Sequence, residues 1–202
     1  VVEASCAVDM PAQQAWSARA DIRFVAYAAN VDRQTITLMR DDTSDDGTRR
    51  RTFSMGFAEN PLPPPLRRLF DQASVLPIIT ETVPDRHGRD VPLRFSATLP
   101  FLGERLSVRG EQWCVDAAGG GCVRHSRVEV SAKLFGIAAI VESSAGQNLS
   151  YAFEQFPLRV VEYVGLLDGG KLQQRVPLGV PVRSLLLENG SIEMCMQPPA
   201  AA

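Results

Sequence analysis

Alternation of apolar and polar residues fills the middle of this chain, and a helical period closes it. Gln34 to Arg40 alternates through Ile36 and Leu38, and Arg51 to Ala58 through Phe53, Met55 and Phe57. Successive side chains of a strand point to opposite faces, so each segment predicts a half-buried strand. Leu76 to Val83 predicts another. Leu93, Phe95, Ala97 and Leu99, alternating with Arg94, Ser96 and Thr98, predict the next. Arg105 to Val115 and Cys122 to Leu134 predict a long hairpin around Ala117-Ala118-Gly119-Gly120-Gly121. Ahead of these lie a first strand, Val2 to Val8, and two short helices. Met10-Pro11-Ala12 starts the first helix, with Asp9 as its expected N-cap. Asp21 caps the second, which carries Ile22, Val25 and Ala26 at helical spacing and ends near Asn30.

The closing helix is predicted from Phe135 to Tyr163. Its sheet-facing stripe reads Ile137, Ile140, Val141, Ser144, Ala145, Asn148, Ala152, Phe156, Val160. A helix that fills a core carries larger side chains than these, so this one is expected to close a hollow sheet. Pro157 removes a backbone bond. It implies either a bend that shapes the cavity mouth or a break before a second helix. Residues 165–202 read as an appended tail, with a small hairpin around Glu188-Asn189-Gly190 and a frayed end.

The long hairpin allows a register on paper. Pairing Cys114 with Cys122 sets Val108 against Val128 and Leu106 against Val130 on one face. Arg109, Glu111, His125, Arg127 and Glu129 then fall on the other. One apolar and one charged face is what a half-buried antiparallel pair requires. Arg109 opposite Arg127 is a cost that the neighbouring glutamates offset. Cys114 and Cys122 stand opposed as two reduced thiols, or as a disulfide in an oxidising compartment.

With 202 residues the chain suits one domain, residues 1–164, plus the tail. A net charge of −2 gives no field for nucleic acid, and no basic face with aromatic platforms appears, so no nucleic-acid partner is expected. Four cysteines without a CxxC pair and two histidines argue against a metal site, and no cofactor is expected. No run of eighteen apolar residues predicts a membrane span. The opening residues are unlike a signal peptide, but the sequence starts without Met and a trimmed leader stays open; the expected reduced thiols point to a cytoplasmic protein.

Three local patterns carry a resemblance. They are Val8-Asp9-Met10-Pro11-Ala12-Gln13-Gln14-Ala15-Trp16, the helix from Asp21 to Tyr27, and Lys133-Leu134-Phe135-Gly136-Ile137-Ala138-Ala139-Ile140-Val141-Glu142. In these, and in its order of elements, the chain resembles the START-like (SRPBCC) superfamily, in a lipid-binding-like branch. The resemblance covers roughly residues 1–164. It implies an α+β helix-grip fold: a curved antiparallel sheet of about seven strands wrapped around a long C-terminal helix, with two short helices after the first strand. It also implies a cavity for a lipid, sterol or isoprenoid. Some members of the superfamily are cyclases, and fold alone does not decide between these roles.

The expected ligand contacts are Phe53, Phe57, Phe95, Val108, Val128, Ile140, Ser144, Asn148, Tyr151 and Arg124. Arg124 either meets an acidic head group or snorkels to the rim. Glu142 suits the helix dipole, and Arg49-Arg50-Arg51 reads as a solvated strand end paired with nearby aspartates. Leu66, Arg67, Arg68, Leu69, Phe70 and Phe101 form an apolar, basic rim that either touches a membrane transiently or packs as a lid. No nucleophile, base or metal constellation marks a catalytic centre. The expected function is binding of a hydrophobic small molecule, with transfer as a further step. The alternatives are a cyclase- or hydrolase-type enzyme acting in the same cavity, or a non-catalytic interaction module.

Overall fold

In the computed structural model, nine strands among the described residues form one antiparallel sheet. The structure describes residues 1–57, 76–100, 102–136, 138–170, 176, 178–179, 181–186 and 192–196. The strands are β1 (Val2–Val8), β2 (Gln34–Thr43), β3 (Arg49–Phe57), β4 (Ile78–Val83), β5 (Leu93–Thr98), β6 (Leu106–Asp116), β7 (Cys122–Ala132), β8 (Pro181–Leu186) and β9 (Ile192–Met196). Their order is β1-β7-β6-β5-β4-β3-β2-β8-β9. The α-helices among the described residues are α1 (Ala12–Ala20), α2 (Ile22–Val31) and α3 (Ala138–Asp168). Helix α3 lies along β1 and β7, while α1 and α2 cover the remaining end of the concave face. This is the helix-grip arrangement.

The β6–β7 hairpin keeps the expected faces but not the expected register. Cys114 stands across from Arg124, Val108 from Val130, and Leu106 from Ala132. The shift is two residues, and two residues preserve which side chain points where. The cross-strand partners change. Arg109 meets Glu129 and Glu111 meets Arg127, so opposite charges now face each other where the paper register opposed two arginines. His125 lies across from Trp113, with the two rings stacked at 5.3 Å, and not across from Glu111. Cys114 and Cys122 are displaced diagonally, and Cys6, Cys114 and Cys122 are free thiols.

Helix α1 begins at Ala12, and its open amide end is not met by Asp9. Asp116 at the far end of β6 accepts from the Ala12 N–H at 3.0 Å. Helix α2 takes its expected cap: the Asp21 side chain accepts from the Arg23 N–H at 2.9 Å. Helix α3 runs through Pro157 without ending there. Phe153, Phe156, Val160 and Tyr163 are buried on both sides of the proline, so packing holds the helix across the missing bond.

Among the described residues, buried side chains gather in three clusters. The largest joins α1, α2 and the end of α3 around Trp16, Phe24, Phe156 and Tyr163. The second joins α2 to β2 and β3 through Ile22, Ile36, Leu38 and Phe53. Val182 of β8 belongs to this second cluster, and β8 pairs with β2 through Ile36–Val182 and Thr37–Pro181. The third, around Leu106 and Val141, closes the other end of the sheet.

Candidate functional site

Between these clusters the concave face is incompletely covered. Inward positions form rows across the strands, because paired residues share a face. One row runs Phe53, Ile79, Ala97, Val108, Val130, and the next runs Arg51, Glu81, Phe95, Gly110, Val128. Met55, Phe57, Ile79, Phe95, Ala97 and Val108 are only partly buried, although all face inward. The inward stripe of α3 reads Val141, Ala145, Leu149, Phe153, Phe156, Val160, Tyr163. Ala145 and Leu149 are only partly buried, and no residue between Val141 and Phe153 is fully buried. Ala97, Val108 and Leu149 belong to none of the three clusters. Inward side chains of the middle of α3 and of strands β3 to β6, which border the hollow expected from the sequence, therefore keep accessible surface.

Gly110 helps to shape it. A Cβ built there would stand 2.5 Å from Cζ of Phe95, so the Phe95 ring rests on the bare backbone of β6.

The inner end of the hollow is polar. The next two rows contain Gln112 with Ser126, then Cys114, Arg124 and Cys6. Arg124 is buried, with 5% of its surface exposed. Its guanidinium lies 4.0 Å from the ring centre of Phe156 and 5.3 Å from that of Phe153. Such a desolvated cation–ring contact is worth roughly 2 kcal/mol. Nε and Nη1 of Arg124 have no hydrogen-bond partner, and neither has the buried Oγ of Ser126. Burial, with the charge of Arg19 adding to it, pushes the Arg124 pKa down to about 10, which leaves the group protonated at neutral pH. Burial and the neighbouring Cys122 push the Cys114 thiol up to about 12, so Cys114 supplies no thiolate as counter-ion.

A second buried charge network lies beside it. Glu81 accepts from Arg19 at 2.5 Å and from Nε of Arg51 at 2.7 Å. Arg19 also donates to Gln112 Oε1 at 3.3 Å, and Arg51 donates to the Ala20 carbonyl at 2.7 Å. One carboxylate thus serves two guanidiniums. Burial would raise Glu81, but its two cationic partners outweigh it and hold the carboxyl down at about 2. Arg51 shows the opposite balance: burial lowers it and half a partner does not compensate. In this part of the described interior, Arg19, Arg51 and Arg124 stand against the single carboxylate of Glu81.

The expected contacts distribute as follows. Phe57, Phe95 and Val108 face the hollow, Arg124 stands at its inner end, and Val128 is fully buried in the row between. Phe53 is core. Ser144 is half-buried. Ile140, Asn148 and Tyr151 lie on the exposed side of α3, which corrects the stripe drawn from the sequence. A helix turns 100° per residue, so a stripe centred on 148 and 151 misses the one centred on 149 and 153. Sequence reasoning missed Leu149 and Phe153. It also read Arg51 as a solvated end; Arg49 does pair with Asp41 at 2.5 Å, but Arg51 is buried. The missed signal was phase: Arg51 alternates in step with Phe53 and Met55, and Glu81 with Ile79 and Val83. Glu142, expected to serve the helix dipole, accepts from the Ala132 N–H at 2.7 Å and ties α3 to β7. Leu66, Arg67, Arg68, Leu69, Phe70 and Phe101 lie outside the described residues.

A separate open groove of about 860 Å³ runs between α1, the start of α2 and the ends of β2 to β4. Four of its charges pair as Asp21–Arg23 and Asp41–Arg49, and Asp85 also lines it. Among the described residues no cluster of side chains is placed to hold a metal ion, and no helix is long and apolar enough to cross a membrane.

Three solved structures illustrate what the chain is similar to. TTHA0849 from Thermus thermophilus is 11% identical, with 79% of this chain and 96% of that chain covered and a TM-score of 0.49. Protein CV1439 from Chromobacterium violaceum is 12% identical, with 79% and 95% covered and a TM-score of 0.49. The ZhuI aromatase/cyclase from Streptomyces sp. R1128 is 13% identical, with 82% and 94% covered and a TM-score of 0.49. No curated protein matches. The chain belongs to the family described as "Protein of unknown function (DUF2505)", which it matches over residues 3–157.

Proposed function

We propose that this member of the family binds a hydrophobic small molecule, such as a lipid, sterol or isoprenoid, in the hollow between the sheet and α3. The observation that carries this reading is the pair of incompletely buried apolar surfaces facing each other: Met55, Phe95, Ala97 and Val108 on the sheet, Ala145 and Leu149 on the helix. Side chains that point inward and still keep accessible surface leave room for an apolar body. Burying that body contributes about 2.5 kcal/mol per 100 Å² removed from water.

Native mass spectrometry of the purified protein, followed by extraction of any bound molecule, tests this. The expected result is a copurifying lipid-like species or stoichiometric uptake of a fluorescent lipid. An empty protein that also refuses the fluorescent lipid refutes it. Transfer is a further step of the same proposal. It requires that the protein speed lipid exchange between vesicles, and an exchange rate equal to that of vesicles alone would restrict the protein to binding.

A further inference from the structure

We infer that the ligand of the hollow is a carboxylic acid, held at its inner end by Arg124 and Ser126. The inference rests on the reading of the hollow as a binding site and names the chemistry of the head group.

Three observations converge on it. First, Arg124 is a buried cation whose Nε and Nη1 lack partners, and Ser126 Oγ, two residues along the same strand face, lacks one as well. Buried polar groups in folded proteins are almost always satisfied, and buried charges are almost always paired. Two such groups left open side by side mark the place of a missing partner. Second, among the described residues no free carboxylate is paired with Arg124. Glu81 is occupied by Arg19 and Arg51, and Cys6 and Cys114, which flank Arg124 across β1 and β6, are free thiols. An anion is the partner that would complete this site. Third, the donors fit a small, singly charged head. One guanidinium and one hydroxyl suit the two oxygens of a carboxylate. The Phe153 and Phe156 rings beside them offer nothing to the further oxygens and second charge of a phosphate monoester.

The direction of the ligand follows from the strand. Ser126, Val128 and Val130 continue the face of Arg124 along β7, with Gly110 and Val108 beside them on β6. From Arg124 to Val128 is about 13 Å along an extended strand. A carboxylate seated on Arg124 would therefore direct an apolar tail past Ser126 toward Ala97, Val108 and Leu149.

The test uses the full chain and two probes, cis-parinaric acid and its methyl ester, which share one tail and differ in head charge. Binding is read from fluorescence at pH 7. The wild-type protein should bind the acid at least tenfold more tightly than the ester. Arg124→Gln should bind both with the ester's affinity, and Arg124→Lys should recover part of the preference. Equal affinity of the wild type for acid and ester overturns the carboxylate inference and leaves the hydrophobic site standing. Binding of neither probe overturns both. The comparison of the two probes on the wild type decides the matter even if the variants do not fold.

Discussion

Glu81 offers a quantitative check on the interior charge network. Replacing it with Gln keeps the shape but leaves Arg19 and Arg51 facing a neutral amide. In the native fold the two guanidiniums outweigh burial and hold the carboxyl at about 2, against 4.5 for an ordinary glutamate. At about 1.4 kcal/mol for each tenfold change in proton affinity, the charged form stabilises the fold by about 3 kcal/mol. That agrees with the 3–5 kcal/mol typical of breaking a buried ion pair from one side. For a chain of this size it corresponds to a fall in Tm of about 6–12 °C. The sign with pH follows from the lowered pKa. Stabilisation is complete above pH 4.5 and is lost as the pH falls toward 2. Urea unfolding followed by the fluorescence of Trp16 and Trp113 should therefore show Glu81→Gln about 3 kcal/mol less stable at pH 7. At pH 3 the deficit should shrink to about 1 kcal/mol. An unchanged midpoint at pH 7, or a deficit of the same size at pH 3, would refute the account of one carboxylate holding two arginines.

Gly110→Ala should cost about 1–3 kcal/mol, because its Cβ would stand 2.5 Å from Phe95 Cζ and 3.0 Å from the Arg127 carbonyl. Thermal unfolding measures this, and Phe95→Leu in the same chain should recover part of the loss; a Gly110→Ala protein as stable as the wild type would show that the ring does not rest there. Cys114, its thiol pushed up to about 12 by burial and Cys122, should resist iodoacetamide at pH 8 in the native protein and react in urea. Peptide mass spectrometry reads both states, and native labelling at the rate of an open thiol would contradict the buried placement.

Periodicity made the faces legible but not the register. The parity of Leu106, Val108, Val128 and Val130 survives a two-residue slip, so a wrong pairing still gave the right inward set. The register needed cross-strand charge pairing, Arg109 with Glu129 and Glu111 with Arg127. On α3 the margin was smaller. Small and polar residues blurred its apolar stripe, and an offset of one residue moved Asn148 inward on paper and Leu149 outward. The Arg19–Glu81–Arg51 network was hidden for another reason: charged residues are assigned to solvent by default, and only their phase with Phe53 and Val83 says otherwise. The helix cap in which Asp116 accepts from the Ala12 N–H spans 104 residues and leaves no local trace. Arg124 was legible because a lone charge stood in an apolar phase, yet its unpartnered nitrogens depend on which side chains surround it in space.

The seating of β8 against β2 has a bearing on self-association. Strand β2 would otherwise offer unpaired amides and carbonyls along an outer margin, the kind of surface that recruits another chain. Residues beyond the family match at 157 supply the strand that occupies it, and Val182 from that strand plugs the apolar patch of Ile36, Leu38 and Phe53. A chain shortened after Asp168 would uncover ladder and patch together, and pairing of copies through β2 is the failure it would invite.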